Sequence, residues 1–402
     1  MSNKKQLIFI MPVMKGGGAE KVATLLLNEF NKNGYECELV LTNSDRNEIV
    51  DRGLDSDVKL TVLRESFPKN GFLKKLFITA FRLFTSLICK IPEALGKKVS
   101  ANLARLSFKA QYYDELNALR KVFEAKPDAS ILSFLQPSIP LTLLAAEDLP
   151  NKVVVSERAD PYRLLKKRYG YNFIKKYYQR ADAVVFQTND AKEAYPDNIS
   201  AKGTVIFNPI NNKLPEPYFG EREKYITTFC RISRQKNLPV LVEAFAEFHK
   251  DFSDYRLKII GEPQNDDDRA HLAETKSLAD KLGITKYIDF LPFSTEVHNL
   301  IIRDAMYINS SDYEGMSNAM LEAMAIGMPV VCTDCPIGGA NAVIKNNENG
   351  ILTEVGNAKE MCEYMKKIAG DKSFADKLSQ NAAQIRYDLS LENTAKKWME
   401  LL

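Results

Sequence analysis

Short apolar runs alternate with helical patterns twice along this chain of 402 residues, and that rhythm leaves few folds open. Residues 7–11 form an uninterrupted apolar run closed by Pro12 and a glycine cluster, as expected of a buried strand. Residues 19–33 then repeat at helical spacing, with Val22, Leu25, Leu26 and Phe30 on one face and Gly34 as the stop. The strand pattern returns at 37–41, 130–134, 152–156, 183–187 and 204–207, with helical segments between. A polar stretch at 208–224, broken by Pro209, Pro215 and Pro217, reads as a linker. A second series follows, with strands at 225–229, 257–260, 288–290, 305–309, 329–332 and 351–353 and helices at 237–250, 268–282 and 295–303. Strand–helix–strand alternation of this kind implies parallel pairing, so the expectation is an α/β chain of two doubly wound domains. Such sheets bind ligands at the carboxyl ends of their strands, which predicts a ligand cleft between the domains. Residues 391–402 carry one apolar stripe (Ala395, Trp398, Leu401, Leu402) that needs a surface to pack on.

Composition narrows the function. A formal charge of +3 is too small to argue for nucleic acid, and no aromatic-interleaved basic motif is present. The six cysteines (37, 89, 230, 332, 335, 362) are scattered, as in a reduced cytosolic protein. Cys332 and Cys335 make a lone C-x-x-C at a strand end, with no second pair at zinc spacing. No uncharged apolar run of 18 residues occurs, so the expectation is a cytoplasmic chain without a membrane span.

Residues 66–110 break the alternation, with nine Lys/Arg against Glu93 alone. Phe77, Phe81 and Phe84 lie within a wide apolar face flanked by Lys74, Lys75, Arg82 and Lys90. That pattern fits an interfacial helix on anionic lipid at the inner membrane face, and equally a core-packed helix pair with solvated lysines. Liposome sedimentation separates the two. Replacing Phe77, Phe81 and Phe84 with Ser abolishes binding on the first reading, and unchanged binding refutes it.

Several motifs carry chemistry. Gly16-Gly17-Gly18 follows the first strand and opens the first helix, allowing close backbone approach to a phosphate or sugar. It lacks the G-x-G-x-x-G spacing of a dinucleotide fold, so a mononucleotide or sugar fits better. Arg231 and Lys236 follow the first strand of the second domain, where two cations can clamp a diphosphate; Arg234 between them reads as solvated. Glu314-Gly-Met-Ser-Asn-Ala-Met-Leu-Glu322 places two carboxylates eight positions apart, with Ser317 as N-cap of the helix bearing Glu322. Glu322 there is either solvated or an acceptor for sugar hydroxyls. Asp55-Ser-Asp57 precedes a strand and reads as a turn, and Asp266–Asp268 as a helix start. His249, His271 and His298 show no metal spacing, so no metal and no other cofactor is expected.

In order along nearly the whole chain, these segments resemble the retaining family 4 glycosyltransferases of the GT-B fold. The resemblance rests on Gly17-Gly18-Ala19-Glu20, Asn208-Pro209, Arg231 with Gln235-Lys236-Asn237, Ile259-Ile260-Gly261, the Glu314-x7-Glu322 signature, Pro329-Val330-Val331 and Asn349-Gly350. It implies an N-terminal acceptor domain over 1–212, a donor domain over 213–385, and a C-terminal helix over 386–402 that crosses back to the first. It further implies a nucleotide-diphosphate sugar donor, a UDP-sugar in this reading, with Arg231 and Lys236 on the diphosphate and Glu322 on the ribose. Glu314 and the backbone of Gly315, Met316, Ser317 and Asn318 would meet the donor sugar, with Gly17 and Gly18 also on the donor side. The expected reaction is transfer of a hexose or N-acetylhexosamine, with retention, to a lipid-linked or oligosaccharide acceptor of surface polysaccharide synthesis. Three positions depart from the family pattern. Cys230 stands where a glycine is usual, and Ala340-Asn341-Ala342 replaces an acid after Gly338-Gly339. The first domain also has no histidine, and Glu157 and Arg158 in the Val155–Pro161 stretch become the acceptor-side candidates, as in bacterial surface-polysaccharide members. An epimerase or hydrolase releasing UDP or free sugar, and a non-catalytic nucleotide-sugar-binding partner, are the competing expectations.

Overall fold

The computed structural model describes residues 4–50, 53–67, 80, 105–106, 108–158, 160–162 and 176–402. The aromatic face at Phe77, Phe81 and Phe84 therefore lies outside the described residues. Two compact units emerge, one of Met1–Ile206 with Ala395–Leu402, the other of Phe207–Thr394.

The first unit is built on seven parallel strands in the order β3-β2-β1-β4-β5-β6-β7. They are β1 (Lys5–Met11), β2 (Tyr35–Leu41), β3 (Lys59–Val62), β4 (Ser130–Phe134), β5 (Val153–Ser156), β6 (Ala183–Phe186) and β7 (Gly203–Val205). Leu7 through Met11 have no solvent exposure, because helices cover both faces of a parallel sheet, and this is why β1 is continuously apolar rather than alternating. Trp398 belongs to this unit: its ring lies 5.4 Å from Phe134, and Ser130 Oγ donates to the Leu402 carbonyl at 2.8 Å. Glu147 gathers Arg105, Lys109 and Arg180 at 2.7, 3.5 and 2.6 Å. Burial would raise that carboxyl, yet the three cations hold it below the usual carboxylate range. Arg105 and Lys109 are thus paired with an acid while remaining partly exposed.

The second unit has six parallel strands in the order β10-β9-β8-β11-β12-β13. They are β8 (Glu223–Phe229), β9 (Arg256–Ile260), β10 (Ile288–Leu291), β11 (Asp304–Asn309), β12 (Val330–Thr333) and β13 (Ile351–Thr353). Strand order reverses between β8 and β11, so the loops leaving these two neighbours share the switch point of the sheet. The linker expected at 208–224 packs on this unit from its start: Ile210 and Leu214 are buried beside Tyr307 and Met320. The backbone N–H of Ile210 donates to Leu389 O at 2.7 Å, and Arg386 donates to Pro215 O at 2.6 Å. These contacts put the division at Ile206, ahead of residue 212, and leave 386–394 with the second unit. Both units are doubly wound and Rossmann-like.

Candidate active site

Phe229 ends β8, and the chain then turns through Cys230 and Arg231 into a short 3-10 helix, Arg234–Lys236. Asn237 takes φ +42°, a left-handed conformation that asparagine tolerates, and starts the helix Leu238–His249. Gly261 at the end of β9 permits this path: at its φ of +152°, a Cβ would stand 1.9 Å from the Cys230 carbonyl oxygen. The loop after β11 runs parallel to this turn. Asp312 N–H donates to the Gln235 carbonyl at 2.9 Å, Gln235 Nε2 to the Tyr313 carbonyl at 2.8 Å, and Ser310 Oγ to the Lys236 carbonyl at 2.8 Å.

Two expected site residues meet there. Lys236 Nζ is ion-paired with Glu314 Oε1, and Ser311 Oγ and Gln235 Nε2 also donate to that carboxylate at 2.8 and 3.2 Å. Burial alone would push the Lys236 ammonium down, but the Glu314 carboxylate more than offsets this and holds it up. Arg231 is exposed and has no hydrogen bond or ion pair among the described residues. Arg234, expected to be solvated, is exposed, and it also reaches Asp267 and Glu274 at 2.9 Å each, tying the turn to the helix Asp266–Lys281. The site therefore carries one largely buried, paired cation and one exposed cation.

Gly315–Ser317 lead into the helix Asn318–Ala325, where Ser317 Oγ accepts from the Met320 N–H at 3.4 Å as N-cap. Asn208 holds this turn, with Nδ2 donating to the Met316 carbonyl at 3.2 Å and to Asn318 Oδ1 at 2.6 Å. Gly339 docks on its other side, its N–H 2.6 Å from the Gly315 carbonyl; a Cβ at Gly339 would lie 2.6 Å from Met316 Cα. Met320, Leu321, Met324 and Ala325 are all buried, as the apolar face required. Glu322 is not solvated: it is 7% exposed, and its Oε2 lies 2.7 Å from His298 Nε2. His298, for which the sequence suggested no role, sits on the short helix Val297–Ile301.

The thiols are inert here. Burial pushes Cys230 and Cys335 up to about 11 each, and Cys335 Sγ donates to the Ser311 carbonyl at 3.0 Å. Asp55 lies in a turn, its N–H bonded to Asn28 Oδ1 at 2.9 Å. His249 and His271 are buried, and burial holds both below the usual imidazole range. A depression of about 960 Å³ beyond β13 is lined by Asp312, Asp334, Glu354, Glu360 and Glu363, with Lys359 as its cation. Its negative lining disfavours a diphosphate, which the Arg231–Lys236 turn favours.

The remaining candidates belong to the first unit. Gly17 is the N-cap of the helix Gly18–Lys32, and Glu20 Oε2 accepts its N–H at 2.5 Å, the glutamate half of a capping box. Both glycines are exposed at that helix start. Glu157 follows β5 and is 4% exposed; Gln136 Nε2 donates to Oε1 at 2.9 Å, and the Tyr178 hydroxyl donates to the same oxygen. Arg158 lies over the Phe134 ring at 4.7 Å, and burial pushes its guanidinium down to about 9.

Residues 210–385 match the family model "Glycosyl transferases group 1", a span that holds Arg231, Lys236, His298, Glu314 and Glu322. The second unit is a group 1 glycosyltransferase domain. Nearly the whole chain also aligns with known proteins. An uncharacterised glycosyltransferase of Haemophilus influenzae is 22% identical over 99% of this chain and 100% of its own length. A Campylobacter jejuni relative, "GalNAc-alpha-(1->4)-GalNAc-alpha-(1->3)-diNAcBac-PP-undecaprenol alpha-1,4-N-acetyl-D-galactosaminyltransferase", is 22% identical over 99% of this chain and 98% of its own. Among solved structures, Anabaena HepE, crystallised with UDP and glucose, matches with TM-score 0.73 and 15% identity over 99% of both chains. That likeness concerns the fold, which is of the GT-B type.

Proposed function

We propose that this glycosyltransferase moves a hexose or N-acetylhexosamine from a UDP-sugar to a lipid-linked or oligosaccharide acceptor, with retention of anomeric configuration. One observation carries the reading: the Lys236–Glu314 pair, with Arg231 beside it, stands at the switch point of the second sheet. Arg231 and Lys236 face the diphosphate there, and Glu314 with the backbone of Gly315–Asn318 meets hydroxyls of the sugar. Glu322 receives the ribose. The bond from the anomeric carbon to the β-phosphate oxygen breaks as the acceptor oxygen attacks from the same face. The departing phosphate takes the acceptor proton. Positioning and charge stabilisation then supply most of the rate, with Lys236 and Arg231 providing positive charge without a metal.

The first unit receives the acceptor, with Glu157 and Arg158 on that side, and Gly17 and Gly18 approach the donor. The polyprenyl diphosphate in the name of the Campylobacter relative supports a lipid-linked acceptor, and UDP in the HepE crystals supports the nucleotide. Contact with a lipid-linked acceptor on the inner membrane face belongs to this proposal as a peripheral one; among the described residues no helix is long and apolar enough to cross a membrane.

A thermal-shift screen of UDP-, GDP- and ADP-sugars, followed by UDP release with membrane extract in excess EDTA, tests the reading. UDP-sugars should stabilise the protein, EDTA should leave turnover intact, and Glu322→Ala should weaken donor binding about tenfold or more. Absence of stabilisation by any nucleotide sugar, or loss of turnover in EDTA, overturns it.

A further inference from the structure

Glu322 is nearly buried on a helix whose other inward residues are apolar, and a histidine from a different element faces its carboxylate. His298 Nε2 lies 2.7 Å from Glu322 Oε2 across 24 positions of sequence. An ionised carboxylate only accepts hydrogen bonds, so with Glu322 ionised the histidine donates through Nε2. The ring itself is fixed. Phe229, the last residue of β8, meets it edge-on with centroids 5.7 Å apart and planes at 85°, and Tyr307 of β11 backs Phe229 at 5.2 Å. Thus β8 and β11, the two strands of the switch point, set the imidazole, and the imidazole holds one oxygen of the carboxylate.

We propose that His298 is a positioning residue for the donor nucleoside: by pinning Glu322 Oε2 it orients the carboxylate that receives the ribose hydroxyls. This rests on the donor site proposed above. A freely rotating carboxylate would accept ribose hydroxyls in many geometries and lose rotamer entropy on binding; a pinned one is ready for them. The ribose hydroxyls are also what separate a nucleotide from its deoxy form. Discrimination against a missing hydroxyl is strong where a buried polar group of the site is positioned to receive that hydroxyl, as a held Glu322 carboxylate is.

Calorimetry with the nucleoside diphosphate selected by the donor screen (UDP, GDP or ADP) and with its 2′-deoxy form tests the proposal. The proteins are wild type, His298→Phe, His298→Gln, Glu322→Ala and the double variant His298→Phe/Glu322→Ala. Wild type should prefer the ribonucleotide about tenfold or more. His298→Phe keeps an aromatic ring against Phe229 but lacks the donor, and should bring the preference to within about twofold. His298→Gln, whose amide nitrogen reaches close to the position of Nε2, should restore most of it. The double variant should discriminate no worse than Glu322→Ala alone, because the histidine acts through the carboxylate. A His298→Phe protein that keeps the wild-type preference overturns the proposal, as does additivity in the double variant. Should His298→Phe fail to fold, His298→Gln decides: it must keep the preference, and its loss in a folded protein overturns the proposal. Wild type that binds none of the three nucleotides overturns the donor-site reading instead, and this inference with it.

Discussion

Lys236→Ala should lower turnover about 100-fold or more, the range found when a positioned charge that stabilises a leaving group is removed. The ammonium is buried against Glu314, so two effects must be told apart. Without Lys236, Glu314 keeps only the Ser311 hydroxyl at 2.8 Å and the Gln235 amide at 3.2 Å, both neutral donors. Breaking a buried pair from one side costs roughly 3–5 kcal/mol of stability, since an uncompensated charge remains. Lys236→Ala/Glu314→Gln removes that charge as well, and should recover much of the lost melting temperature while turnover stays low. Steady-state kinetics with saturating donor, beside thermal unfolding of the single and double variants, makes the separation. A fall in turnover below about fivefold with only the donor KM raised would mean that the ammonium binds the ground state and transition state alike. The catalytic role given to Lys236 would then be wrong.

The double winding of both units was legible because parallel sheets hide both faces. Leu7–Met11 needs no alternation to be read as a strand, since no side of β1 meets water. The helix bearing Glu322 was legible through Ser317 and its apolar spacing, for the same local reasons that fix its start and its buried face. Contacts between distant residues were not. His298 sits on a helix of five residues with no periodicity of its own, and only the folding of β8 beside β11 brings it to Glu322. Asn208 looked like the end of a domain, yet its amide holds the loop of Met316 and Asn318 across 108 and 110 positions. Arg234 is exposed as its loop suggested, but its partners Asp267 and Glu274 come from a helix 33 and 40 positions on. Local spacing carries helix and strand; partners across a sheet depend on strand order, which spacing does not encode.

Glu157→Gln should stabilise the protein above neutral pH and do nothing for it in mild acid. Burial raises the Glu157 carboxyl from its ordinary 4.5 to about 7, and the Gln136 amide pulls it back only in part. Among the described residues its Oε2 has no hydrogen-bond partner, whereas Oε1 takes both Gln136 and Tyr178. The charged groups around it do not reverse this: Arg158 is itself held down to about 9 by burial, and Tyr195 is held up by burial and then by Glu157 and Asp160. A folded-state carboxyl that titrates above its unfolded value contributes stability fully below pH 4.5, and loses it as pH rises through about 7. The shift corresponds to about 3 kcal/mol. Glutamine resembles the protonated acid in shape and cannot ionise, so wild type and variant should match near pH 4.5 and diverge by that amount at pH 8.5, with the variant ahead. Urea unfolding of both proteins across this range reads the difference directly, and a gap that stays constant with pH would refute the buried, proton-retaining carboxyl. The same substitution probes the acceptor side. If Glu157 meets an acceptor hydroxyl, the stabilised variant should show a raised acceptor KM with donor binding unchanged, a trade of function against stability that an ordinary core residue would not make.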